Sequence, residues 1–194
     1  GAYECRVRAA DVRYVETITV CAIPELQYSR FPADPPLDMN GPYDWSFIEK
    51  YVAPNVNVII GDSTDETLPR IDAWIARGGR WIAGTGVPEV DGRSITTDEA
   101  LTVWTDNAGV GDARLSGMIA DEFQGRQNPN YPAWIEALRR LHDLEAFRNK
   151  RFYAYCGGPG MYSRPQTREL VNTVLASDFR MAWERYLHEM PTLN

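Results

Sequence analysis

The chain has 194 residues, of which 44% are hydrophobic and 24% charged, a balance typical of a globular domain with a substantial core. Its net charge of −7 at pH 7 argues against a nucleic-acid partner and against attraction to an anionic membrane, because both require a basic surface. The sequence has no phosphate-cradling glycine motif and no CxxC pair, so we expect no nucleotide cofactor and no metal centre. The oligomeric state and the cellular location stay open, a secreted or periplasmic location included.

The first 42 residues differ in character from the rest of the chain. Residues 14–20 have side chains of alternating character and are rich in β-branched residues, a pattern that predicts an extended strand. Five prolines between residues 24 and 42 then indicate a linker or an ordered loop. We therefore divide the chain into a β-rich segment with a proline-rich linker, residues 1–42, and an α/β domain, residues 43–194.

Helical and strand patterns alternate along the α/β domain. Strands are predicted at residues 56–62, 80–84, 115–123 and 151–157, with a fifth at 179–187. Helices are predicted at 45–52, after the capping-box spacings 63–66 and 96–99, from 130 onward and from 163 onward. This α-then-β order predicts parallel strands joined by right-handed crossovers.

Two α/β architectures fit this order of elements. One is a (β/α) barrel, complete or partial, and the other is an open, flavodoxin-like sheet. An eight-fold barrel typically needs about 250 residues, so we expect this chain to form part of a larger barrel if the first architecture is correct.

The predicted strand at 115–123 ends on two adjacent carboxylates, Asp121 and Glu122. In α/β proteins the carboxyl ends of strands are where ligands and catalytic groups collect. Because side chains alternate along a strand and the small Ala120 suits a barrel interior, we expect Glu122 to point over the barrel mouth as a general acid/base. We expect Asp121 to support it. The competing interpretation is that both acids cap the next helix or pair with Arg126.

A second carboxylate and several ligand contacts are also predicted. Glu184 is the candidate partner acid, although it could equally be a helix-surface residue paired with Arg180 or His188. Asp62 also has a second interpretation, as the cap of the following helix. The candidate substrate-binding residues are Asp62, Trp81, Tyr153 and Tyr155.

Residues 57–155 resemble (β/α)8-barrel glycoside hydrolases. The resemblance lies in the segments 56–62, 79–82, 118–123 and 152–157. It implies a carbohydrate substrate and cleavage of glycosidic bonds by a pair of carboxylates. Glu122 matches the acid/base position of such enzymes, and Glu184 is the residue available for the second position.

Two other functions remain open at this stage. A domain of the same fold could bind carbohydrate or act as a scaffold without catalysis. Alternatively, residues 71–80 resemble the helix-to-strand turn of flavodoxin-type amidotransferase-like hydrolases, which implies a cysteine nucleophile at a strand–helix elbow. Cys156 would then be the nucleophile and His188 its partner.

Overall fold

The structure, a computed structural model, describes residues 25–29, 44–125, 127–157, 161 and 163–183. The predictions for residues 1–24 and for Arg126, Glu184 and His188 therefore lie outside the described residues. Six strands are described, β1 to β6: Gln27–Ser29, Val58–Gly61, Arg80–Gly86, Gly117–Phe123, Arg151–Cys156 and Arg180–Trp183. Six α-helices, α1 to α6, lie between them: Trp45–Phe47, Leu68–Ala76, Thr97–Thr105, Ala108–Gly111, Tyr131–Asp143 and Pro165–Ala176. Helix α1 continues as a π-helix, Ile48–Val52, and a 3-10 turn, Ala53–Asn55.

The six strands form one parallel sheet, curled into a half-barrel flanked by helices. The strands follow one another in the order β1-β2-β3-β4-β5-β6, and every described pairing is parallel. Each connection leads to the adjacent strand, always in the same direction across the sheet. Right-handed connections of this kind place the helices on a single face of the sheet. A flavodoxin-like sheet reverses direction at a switch point, and no reversal occurs among the described strands. The prediction of a partial barrel of parallel strands is therefore confirmed.

Local signals set the helix boundaries with one exception. The capping box at 96–99 forms as predicted, because Thr96 Oγ1 accepts from the Glu99 N–H and the Glu99 carboxylate accepts from the Thr96 N–H. The capping box predicted at 63–66 is wrong, since α2 begins only at Leu68. Pro69 fixes that start, because proline is favoured in the first turn, where its missing N–H costs no hydrogen bond.

The two faces of the sheet differ in what covers them. The helix-facing side of β4 and β5 belongs to a large core that includes Met118 and Ala120 together with Trp104 and Trp134 of the helices. The concave side carries a smaller buried cluster: Val58, Ile60, Ile82 and Tyr153, with Ile119 packed against it. The predicted orientation of β4 is therefore wrong. Ala120 faces the helix layer and is fully buried in its core.

In the described part of the chain, none of the helices combines the length and the apolar character needed to cross a membrane.

Candidate functional site

The carboxyl end of β4 contains a β-bulge built around the two acids. The register between β4 and β5 shifts between Ala120 and Phe123, and both of these residues belong to the helix-facing core. Asp121 and Glu122 lie between them and are exposed. Glu122 has a φ of 72°, a left-handed conformation that costs a residue other than glycine about 1–2 kcal/mol. Bulges next to active sites re-aim side chains, and backbone strain of this kind collects at functional sites.

The bulge sends the two carboxylates in different directions. Backbone alternation places Asp121 on the concave side, in line with Ile119. Glu122 instead lines a pocket of about 120 Å³ between the loop after β3 and the start of α5. We call this the Glu122 pocket; its lining residues are Val87, Glu89, Glu122, Gln124, Asn128, Tyr131 and Trp134. The expectation that Glu122 points over the barrel mouth is therefore wrong, and Asp121 lies nearer to that position.

Neither acid caps the next helix. Helix α5 begins at Tyr131, and its N-cap residue is Asn130, so the capping interpretation of Asp121 and Glu122 is wrong. Asp62 does not cap a helix either, because Thr67 precedes the first residue of α2. The Asp62 side chain is exposed at the carboxyl end of β2, while its backbone carbonyl accepts a hydrogen bond from Trp81 Nε1 at 3.1 Å.

Two glycines leave the concave face open beside Asp121. Gly84 pairs with Ile119 and Gly86 pairs with Asp121, which puts both on the concave side of β3. A Cβ added at either glycine would meet no atom of the described residues within 4 Å. The carboxyl half of β3 is therefore a bare strip of backbone, where a ligand can approach the sheet closely. We call the open surface formed by Asp62, Gly84, Gly86, Asp121 and Tyr155 the concave rim.

The predicted aromatic contacts divide into three cases. Trp81 is 1% exposed on the helix-facing side, so it cannot touch a ligand on the concave face and is not a substrate contact. Tyr153 lies on the concave side but is buried, and its hydroxyl donates to Glu25 Oε2 at 2.7 Å near the amino end of the sheet. Tyr155 lies two residues nearer the carboxyl end and is half-buried, so it remains a candidate contact on the concave rim.

The hydroxyl of Tyr153 lies beside charged side chains, although the ring packs in an apolar cluster. Burial and the hydrogen bond to Glu25 raise the pKa of Tyr153 to about 12. Glu25 also accepts from Arg80 Nη1 at 2.7 Å. Burial alone would raise the pKa of Glu25, but the hydrogen bonds from Tyr153 and Arg80 outweigh it and hold that pKa below its ordinary value. The hydroxyl of Tyr153 thus joins β5 to Glu25, two residues before β1.

Cys156 does not have the properties of a nucleophile. The side chain is fully buried in the helix-facing core, and burial raises the pKa of the thiol to about 12. A nucleophilic cysteine needs a lowered pKa and an accessible sulfur, because the thiolate is the reactive form. The amidotransferase-like alternative is therefore contradicted at its central residue.

Glu89 is the site residue that the sequence did not predict. It lies three residues beyond the end of β3, is exposed, and faces the same pocket as Glu122. The available signal was its position after a predicted strand, the same signal that identified Asp62 and Asp121. Among the described residues, no group of three or more histidine, cysteine or acidic side chains could hold a metal ion.

Comparison with known proteins identifies no relative. No protein family, no curated protein and no solved structure matches this chain. The resemblance to (β/α)8-barrel glycoside hydrolases therefore stays a prediction.

Proposed function

We propose that this protein is a carbohydrate-active hydrolase in which Glu122 acts as the general acid. The observation that carries the proposal is the strained bulge at the carboxyl end of β4, which holds an exposed glutamate in a left-handed conformation at the edge where barrel enzymes place catalytic groups. A strain of about 1–2 kcal/mol at an exposed acid adds nothing to folding stability. Backbone strain of this kind collects at functional sites, which is why we assign the catalytic role to Glu122.

The surroundings of Glu122 suit a neutral polyhydroxylated ligand. Carboxylate and amide side chains accept and donate hydrogen bonds, and the Glu122 pocket contains both kinds in Glu89, Gln124 and Asn128. The concave rim adds the carboxylates of Asp62 and Asp121 beside the bare backbone of β3. In this proposal a sugar lies along the rim with its hydroxyls bonded to these acids.

The proposed chemistry is protonation of a leaving oxygen. Glu122 gives its proton to the glycosidic oxygen as the bond from that oxygen to the anomeric carbon breaks. Water supplies the hydroxyl that the anomeric carbon gains, so the products are two free sugars. Asp121, adjacent in sequence and on the concave side, holds substrate hydroxyls in position.

The test is Glu122→Gln, which removes the proton donor and keeps the shape of the side chain. A general acid typically contributes 10²- to 10⁴-fold, so we expect kcat on a responsive glycan to fall by about that factor. Reducing ends released from a panel of glycans provide the measurement. The matched control is Glu145→Gln, an exposed carboxylate in the 3-10 turn before β5, at the opposite end of the sheet, which should leave kcat unchanged.

Two results would contradict the proposal. One is full activity in the Glu122→Gln variant. The other is a wild-type protein that binds a glycan but releases no reducing ends, which would identify a non-catalytic carbohydrate-binding domain instead.

A further inference from the structure

We propose that Glu89 is the second catalytic carboxylate, the base that activates the attacking water opposite Glu122. This inference rests on the proposed function of Glu122 and adds the residue that such a reaction still lacks. The two side chains come from different elements, the loop after β3 and the end of β4, yet they line one pocket.

The size of the Glu122 pocket suits a water molecule between two acids. Its volume of about 120 Å³ exceeds the roughly 10–15 Å³ that a cavity needs to hold one water molecule. Inverting glycosidases place the attacking water between their two carboxyl groups, whereas in retaining enzymes one carboxylate attacks the sugar directly. The pocket is smaller than the 300–1,000 Å³ typical of a complete ligand site, so it takes the reacting centre and leaves the remainder of the glycan on the concave rim.

The loop that carries Glu89 is fixed to the elements around Glu122. Trp134 Nε1 donates to the carbonyl of Pro88 at 2.8 Å, directly before Glu89 in sequence. The N–H of Val87 donates to the carbonyl of Asp121 at 3.2 Å, directly before Glu122. The residue that precedes each acid, Pro88 or Asp121, is therefore held by a hydrogen bond to its carbonyl oxygen. Catalytic groups need such support from the residues around them.

A second set of hydrogen bonds joins the same loop to the start of α5. Asn128 Nδ2 donates to Glu89 Oε1 at 3.4 Å, and Asn128 Oδ1 accepts from the N–H of Asn130 at 2.9 Å. The buried Asn130 side chain in turn accepts from the N–H of Ile95 at 3.0 Å. Asn128 thus connects the Glu89 carboxylate to the start of α5.

The reaction balances with these two groups and one water. The Glu89 carboxylate removes a proton from water as the water oxygen bonds to the anomeric carbon. The bond from that carbon to the glycosidic oxygen breaks, and the leaving oxygen takes the proton of Glu122. Glu89 ends protonated and Glu122 ends ionised, and exchange with solvent restores both. A single displacement of this kind inverts the anomeric configuration.

The experiment compares Glu89→Gln with the wild type and with Glu122→Gln on the most reactive glycan of the panel. We expect kcat to fall by about 10²-fold or more, because the attacking water loses its base. Azide, a small anionic nucleophile that needs no base, should restore turnover in Glu89→Gln and give a glycosyl azide. Proton NMR of the first product formed by the wild type should show the inverted anomer. Asp91→Asn, an exposed acid in the same loop that does not line the pocket, is the matched control and should keep wild-type kcat.

Each other outcome overturns one specific claim. Activity lost in Glu122→Gln but kept in Glu89→Gln overturns this inference and leaves the proposed function in place. A retained anomer, or a Glu89→Gln defect that azide does not relieve, also overturns the role of Glu89 as a base. A wild type that cleaves none of the glycans overturns the proposed function and this inference together.

Discussion

The hydroxyl of Tyr153 should stabilise the fold instead of binding a ligand, and Tyr153→Phe tests this. The hydroxyl donates to Glu25 Oε2 at 2.7 Å across 128 positions of sequence. It joins β5 to the residue that leads into β1, on the concave side of the sheet. Removing it should loosen the connection between one edge strand and the rest of the half-barrel.

The expected loss follows from what remains after the substitution. A hydrogen bond to a charged group contributes about 1.5–3 kcal/mol. The Glu25 carboxylate keeps Arg80 at 2.7 Å, and the phenylalanine ring keeps the packing of the tyrosine, so the lower value of about 1.5 kcal/mol applies. For a chain of this size 1 kcal/mol corresponds to about 2–4 °C, which gives a decrease in Tm of about 3–6 °C.

The assay is urea and thermal unfolding of Tyr153→Phe, Glu25→Gln and the double variant. The double-mutant cycle should show a coupling of about 1 kcal/mol between the two positions. Because the folded-state pKa of Glu25 is lowered, its contribution is present above the ordinary carboxyl pKa and disappears as the pH falls through the folded value. The effect of Tyr153→Phe should therefore be full at pH 7 and shrink in acid.

One control variant makes this result interpretable. Tyr51→Phe alters a tyrosine that is 55% exposed and should change stability by no more than about 0.5 kcal/mol. Additive single variants, or a Tyr153→Phe variant as stable as the wild type, would refute the assignment. If Tyr153→Phe raises the KM for a glycan without lowering stability, Tyr153 contacts the ligand as first predicted.

Two further predictions concern the reactivity of Cys156 and the space around two glycines. Iodoacetamide at pH 8 should leave Cys156 unmodified in the native protein, because burial raises the pKa of the thiol to about 12. In guanidinium the same reagent should alkylate Cys156, and peptide mass spectrometry measures both reactions. Rapid labelling of the native protein would refute this prediction. Gly117→Ala should cost more than about 4 kcal/mol, since φ is 137° and the new Cβ would lie 1.9 Å from the Arg151 carbonyl oxygen. Gly84→Ala, whose Cβ meets no atom of the described residues within 4 Å, should gain up to about 1 kcal/mol, and equal stabilities of these two variants in urea would contradict the reasoning.

Local sequence signals were sufficient to predict those helices and strands whose formation depends on residues close together in the chain. The capping box of Thr96 and Glu99, the proline-led start of α5 and the buried strands formed where the pattern predicted them. The alternation of helix and strand likewise determined a parallel sheet, because right-handed crossovers leave few other arrangements. The position of Asp121 and Glu122 at the carboxyl end of β4 follows from the same local pattern.

The tertiary structure decided which way these acids point. Alternation along β4 defines two faces, but only packing against Trp104 and Trp134 shows that Ala120 faces the helices. The bulge that separates Asp121 from Glu122 depends on pairing with β5, a strand about 30 residues later. Glu89 joins Glu122 because distant hydrogen bonds hold its loop. The sequence by itself thus determined the strands β2 to β6, most of the helices and the edge where the acids lie, but not β1, which formed where a linker was predicted. Contacts between residues far apart in the chain decided the directions and partners of the acids.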